Sequence, residues 1–121
     1  MKAKVFVAIA SYADPELPRT LRDCSAMATH PEALSFGVCS QQDTADPIDL
    51  GEFEADPRFT ILTRSVMESR GGPWARNLAQ SLWRGEPYTL QVDAHMKFEP
   101  DWDSKLIDML ESLPAEKPVI S

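Results

Sequence analysis

The sequence predicts an α/β domain: a mostly parallel sheet with helices on both faces. Three observations carry that expectation. Short β-rich runs are almost continuously apolar, as strands covered on both faces must be; between them apolar residues recur at helical spacing; and the two kinds of segment alternate along the chain. With 121 residues, 43% of them hydrophobic, the chain is large enough for one core and too small for two, so residues 1–121 are expected to form a single domain.

The first strand is "KVFVAIA", Lys4 to Ala10, expected at the centre of the sheet. Asp14-Pro15 signals a helix start, and Leu17, Leu21, Cys24 and Ala28 then share one helical face up to His30-Pro31. Leu34 to Ser40 and Phe59 to Thr63 read as the next strands, separated by a polar acidic loop with Asp43, Asp46 and Asp49. Gly71-Gly72-Pro73 opens a second helix with Trp74, Leu78 and Leu82 on one face and Ala75 and Ala79 beside them, ended by Gly85. Tyr88, Leu90 and Val92 mark a buried fourth strand. Pro100 precedes a helix with Trp102, Leu106, Met109, Leu110 and Leu113 at helical spacing, and Pro118-Val119-Ile120 reads as a last strand.

The bulk properties restrict partners. A formal charge of −7 with no basic block argues against nucleic acid and against an anionic membrane surface, while leaving room for a local arginine cluster to hold one phosphate ligand. The N-terminal apolar run is interrupted too soon for a secretory core, and no apolar stretch approaches the ~20 residues of a membrane span. Cys24 and Cys39 lack C-x-x-C spacing and read as buried thiols in a reducing compartment. Trp74, Trp83 and Trp102 are expected in the core, His30 at a helix end and Glu86 in solvent.

Three polar groups fall at carboxyl ends of strands, where open α/β sheets place their ligands: "SYAD", "QQD" and "DAH". Asp93 and His95, with one residue between them, offer an oxygen and a nitrogen to a divalent cation; two protein ligands leave the rest of the shell to phosphate oxygens and water. The plainer alternative is a polar surface turn. In "SRGGPWARN" two glycines permit close backbone approach and the free amides of a helix start favour an anion, with Arg70 and Arg76 on either side. The alternative is a helix start with two solvated arginines. Ser11 and Tyr12 either contact a nucleoside or pack in a loop; Gln41, Gln42 and Asp43 either contact a base or ribose or are simply solvated. Neither a Walker loop nor a G-x-G-x-x-G fingerprint is present.

Taken together, "VFVAIASYADPELPRTL", "SFGVCSQQD" and "SRGGPWARNLAQSLWRGEPYTLQVDAHMKFEPDWD" resemble the nucleotide-sugar half of the polypeptide N-acetylglucosaminyltransferase family, typified by cytoplasmic hydroxyproline-modifying enzymes. The resemblance spans nearly the whole chain, and its most specific part runs from Arg70 to Trp102. It implies a GT-A fold, a Rossmann-like nucleotide-binding sandwich, in which Asp93-Ala94-His95 is the D-x-H element. His95 would then ligate Mn²⁺ or another divalent cation, with Asp93 reaching the metal or the ribose. Ser11, Tyr12 and Asp43 would lie by the nucleoside, and Arg70 and Arg76 nearer the phosphates or ribose.

The implied activity is transfer of a sugar from a UDP-sugar, UDP-N-acetylglucosamine above all, to a polypeptide or glycan hydroxyl, with retention at the anomeric carbon and in the cytoplasm. Members of that family extend beyond the equivalent of Ser121, so a donor-binding fragment is expected, with acceptor contacts and any catalytic acid or base supplied elsewhere. Its last strand would leave an apolar edge through which a homo-oligomer forms. Two other readings stand beside the enzyme: a nucleotide-sugar-binding module without turnover, and an unrelated α/β domain whose "DAH" is only a polar strand end.

Overall fold

The computed structural model describes residues 4–112 and the strand Val119–Ile120. Strands β1 (Val5–Tyr12), β2 (Leu34–Gln42), β3 (Phe59–Ser65), β4 (Tyr88–Asp93) and β5 (Val119–Ile120) form one sheet in the order β3-β2-β1-β4-β5. Every pairing is parallel, so each strand must be followed by a crossover. The crossovers carry α1 (Leu17–Ala26), α2 (Gly51–Glu54), α3 (Gly72–Gln80) and α4 (Trp102–Glu111). The expected fold class holds, with β1 at the centre and helices on both faces.

The two faces are packed differently. On one, Val5, Val7 and Ile9 of β1 join Phe36 and Val38 of β2 and Leu90 and Val92 of β4, covered by Leu17, Leu21 and Cys24 of α1 and by Trp102, Leu106 and Leu110 of α4. On the other, Phe6, Ala8 and Cys39 meet Ala75 and Ala79 of α3. Successive side chains in a strand point to opposite faces, so the same alternation sorts the polar strand ends: Ser11 and Ser40 lie on the α1 side, and Tyr12, Gln41, Arg64 and Asp93 on the α3 side.

Several local expectations shift. Strand β1 runs on through Ser11 and Tyr12, and β2 through Gln41 and Gln42, because each of these residues still has a ladder partner on the neighbouring strand. Helix α1 begins at Leu17 and stops at Ala26, short of His30-Pro31. The acidic connection after β2 is not all loop: Gly51–Glu54 forms a helical turn that buries Phe53. Helix α3 ends at Gln80, ahead of Gly85, which sits at φ 94° in the turn before β4.

Its buried face is the alanine side, while Trp74 and Leu78 are only partly covered, since Gly37 lets α3 approach closely. A Cβ on Gly37 would stand 2.5 Å from the Phe6 ring and 2.7 Å from the Ala79 carbonyl oxygen. Trp102 is in the core as expected, but Trp83 is 50% exposed and Met109 47% exposed. Glu86, expected in solvent, is buried, where its carboxylate accepts from Arg84 N at 2.7 Å and from the Ser35 hydroxyl.

Cys24 and Cys39 are free and buried. Burial pushes both thiols up, Cys24 well above its ordinary value; Arg64 pulls Cys39 in the opposite direction. Leu113 and Pro118 lie outside the described residues, as do the side chains of Val119 and Ile120, on which the expected apolar edge depends. Among the described residues no helix is long and apolar enough to cross a membrane.

Candidate functional site

The strand order reverses direction at β1, which has β2 on one side and β4 on the other. Outside the carboxyl ends of strands at such a switch point, the crossovers leave in opposite directions and open a crevice. The three polar groups singled out in the sequence converge there: Ser11 pairs in register with Ser40, Tyr12 with Gln41, and Ala10 with Asp93.

The chain leaves β1 by a strained turn. Ala13 takes φ 48°, a left-handed conformation that costs a residue with a Cβ roughly 1–2 kcal/mol, and its N–H donates to the Gln41 carbonyl at 2.7 Å. The turn delivers Asp14 to the crevice. One Asp14 oxygen accepts from Glu16 N at 2.9 Å, and the other lies 3.3 Å from His95 Nδ1. Asp14 is the last residue of the polar group "SYAD" and a helix-start signal, but nothing local indicates that residue 14 meets residue 95.

Asp93 is the last residue of β4, and Ala94-His95 begins a turn. Asp93 and His95 are both exposed, either side of a buried Ala94. Ser11 and Gln41 are the opposite case. They are 2% and 3% exposed, and Ser11 Oγ and Gln41 Oε1 have no hydrogen-bond partner among the described residues. Buried polar atoms almost always have one, so these two orphans, on adjacent strand ends but on opposite faces of the sheet, each mark a place where a polar group is wanting. Gln41 is thus not a solvated loop residue; its burial follows from the extension of β2. Tyr12 beside them is 60% exposed, leaving a ring face open.

Helix α3 follows β3 and precedes β4, so it runs antiparallel to the strands and starts at the carboxyl edge. Gly71 at φ 93° caps it, and Gly72-Pro73 form its first turn. Arg76 falls in the second turn, but its guanidinium reaches back: a Cβ on Gly72 would stand 3.3 Å from Arg76 Nη2. Arg70 and Arg76 are exposed. Arg64, not singled out in the sequence, pairs in register with Gln41 and adds a third guanidinium on this side of the edge. Asp43 is exposed, and one of its oxygens accepts from Ala45 N at 3.0 Å, closing a local turn.

Among the described residues no three His, Cys, Asp or Glu side chains form a cluster able to hold a metal by themselves. Asp93 and His95 nevertheless have the donor chemistry for a divalent ion that takes its remaining ligands from a diphosphate and water. A cavity of about 360 Å³ between α4 and residues 96–99 lies on the other face of the sheet; its walls, Leu90, Phe98, Trp102 and Leu106 among them, suit apolar groups rather than phosphates.

Fold and edge together define a Rossmann-like α/β domain with a polar crevice at its topological switch point. The family model for Glycosyltransferase (GlcNAc) matches residues 4–58 and 54–121. The chain belongs to this family of glycosyltransferases, whose chemistry requires a nucleotide-sugar donor and an acceptor. No curated protein and no solved structure matches the chain.

Proposed function

We propose that the crevice binds a UDP-sugar, UDP-N-acetylglucosamine in the first place, with Mn²⁺ or a similar divalent cation in a GT-A arrangement. The sugar is passed with retention to a hydroxyl of a polypeptide or glycan in the cytoplasm. The observation that carries this reading is the buried Gln41 Oε1, without a hydrogen-bond partner among the described residues, beside its register neighbour Tyr12, whose ring is open on the same face; Ser11 Oγ is a second such atom on the other face of the same strand end. A pyrimidine or ribose supplies the donor that Gln41 Oε1 lacks, a base stacks on the tyrosine, and Ser11 lies at the same strand end by the nucleoside. Asp43, just past the end of β2, belongs to the same proposed nucleoside-binding region.

The remaining roles follow from charge. The free amides at the start of α3, with Arg70 and Arg76, hold the diphosphate. Asp93 and His95 would hold the cation, which when bound neutralises charge developing on the departing diphosphate. Loss of His95 removes a nitrogen ligand, whereas Asp93→Asn keeps an oxygen and acts more mildly.

Calorimetric titration with UDP and UDP-N-acetylglucosamine, with and without Mn²⁺, tests the reading. UDP should bind with marked Mn²⁺ dependence, and His95→Ala should remove that dependence while the fold is retained. Absence of UDP binding by the parent chain, or unchanged metal dependence in His95→Ala, would sink it. A donor-hydrolysis assay on the same samples separates a transferase from a binding module.

A further inference from the structure

The segment from Ala94 to Asp103 carries His95 and is fastened to α1 at both ends. At its far end Trp102 Nε1 donates to the Cys24 carbonyl at 2.8 Å, and Asp101 N donates to the Met27 carbonyl at 2.6 Å. The Asp103 carboxylate, 2% exposed, accepts from Thr29 N at 2.6 Å and His30 N at 3.0 Å. At its near end the fastening is Thr20, on α1 and fully buried, whose hydroxyl donates to the Ala94 carbonyl at 2.5 Å.

Helical threonines usually return their hydroxyl to a carbonyl one turn back in their own helix. The Thr20 backbone N–H makes the ordinary helical bond to the Glu16 carbonyl, but its hydroxyl does not turn back along α1: Thr20 Oγ1 crosses 74 positions of sequence to Ala94. The acceptor is the peptide between Asp93 and His95, one residue past the end of the β4 ladder. A β-branched side chain has few rotamers, so the contact is stiff.

We infer that Thr20 is a positioning residue for the Asp93-Ala94-His95 element: its hydroxyl holds the intervening peptide so that both flanking side chains face the crevice. This rests on the metal-assisted donor binding proposed above. Groups that hold ligand-bearing segments in place commonly contribute 10- to 100-fold to metal affinity when removed. Thr20 touches neither cation nor donor, and its effect runs through the backbone.

Thr20→Val keeps the shape and removes the donor; Thr20→Ser keeps the donor. Two measurements on the 121-residue chain decide the matter: amide hydrogen exchange of residues 93–96 without ligand, and UDP affinity with and without Mn²⁺. Thr20→Val should exchange faster at those residues and bind UDP about tenfold more weakly with Mn²⁺, with metal-free affinity unchanged. Thr20→Ser should match the parent in both. Unchanged exchange at residues 93–96 in a folded Thr20→Val overturns the inference, as does a stability loss that leaves the Mn²⁺-dependent affinity at the parent value. If the parent itself binds no UDP, the proposed function fails, and the exchange data alone still decide whether Thr20 holds the element.

Discussion

The two faces of the sheet are covered by helices that present side chains of very different size. The α1 and α4 side is thick, filled by Leu17, Leu21, Phe36, Trp102 and Leu110, all buried. The α3 side is thin, with Ala75 and Ala79 set directly against Phe6, Ala8 and Cys39 over Gly37. Burying a large aliphatic side chain contributes roughly 1.5–3 kcal/mol, so most of the stability resides on the thick side. The thin side contributes less and instead sets the start of α3, with its free amides, at the carboxyl edge of the sheet, on the face that carries Tyr12, Gln41 and Asp93. One face keeps the fold, and the other places the groups proposed to bind the diphosphate.

Removing mass from the thick side should have the largest effect. Leu21→Ala is expected to cost about 3 kcal/mol in urea unfolding while UDP affinity at low denaturant stays near the parent value. A large loss of affinity with unchanged stability would erase the division between the faces. Next comes Gly37→Ala, whose added methyl meets the Phe6 ring and the Ala79 carbonyl. The overpacking should cost about 1–3 kcal/mol and also weaken UDP, because α3 must move away from the sheet. An affinity equal to the parent's would show that the close approach of α3 is irrelevant to binding.

A smaller effect is expected at Asp103. Burial alone would push its carboxyl up, but the backbone N–H groups of His30 and Thr29 outweigh burial and hold it below the ordinary carboxylate value. Such a group stabilises the fold above the unfolded carboxylate pKa of about 3.9, and the contribution disappears as pH falls through the lower folded value. Asp103→Asn should therefore cost about 1 kcal/mol at neutral pH and flatten the acid limb of the stability profile; identical limbs in parent and variant would refute the assignment. Smallest in stability is Arg76→Ala, within about 0.5 kcal/mol of the parent because the side chain is exposed. UDP affinity should nevertheless fall several-fold, and no change in titration would remove Arg76 from the diphosphate site.

Much of this architecture was legible in the order of residues. "KVFVAIA" is apolar at every position but its first, which only a strand covered on both faces tolerates, and β1 is that strand. Asp93 and His95 were legible as a strand end because the apolar run stops there. The helix faces were less legible. Trp74, Leu78 and Leu82 outweigh Ala75 and Ala79 in hydrophobicity, yet the alanines face the sheet, because the distance from helix to sheet is set by Gly37 on another element. Trp83 and Glu86 exchanged their expected environments for a related reason: the turn before β4 draws the Glu86 carboxylate inward to Ser35 and Arg84 N.

Local pattern by itself determined the alternation of strands and helices, the central place of β1 and the polar character of three strand ends, since backbone pairing and apolar periodicity act over a few residues. Only the tertiary structure decided that Asp14 meets His95 across 81 positions, that Thr20 holds Ala94 across 74, and that Ser11 Oγ and Gln41 Oε1 are buried without hydrogen-bond partners among the described residues. Those contacts depend on which strands become neighbours. Neighbours are chosen by the packing of the whole sheet, a sum over many distant residues that no short stretch encodes.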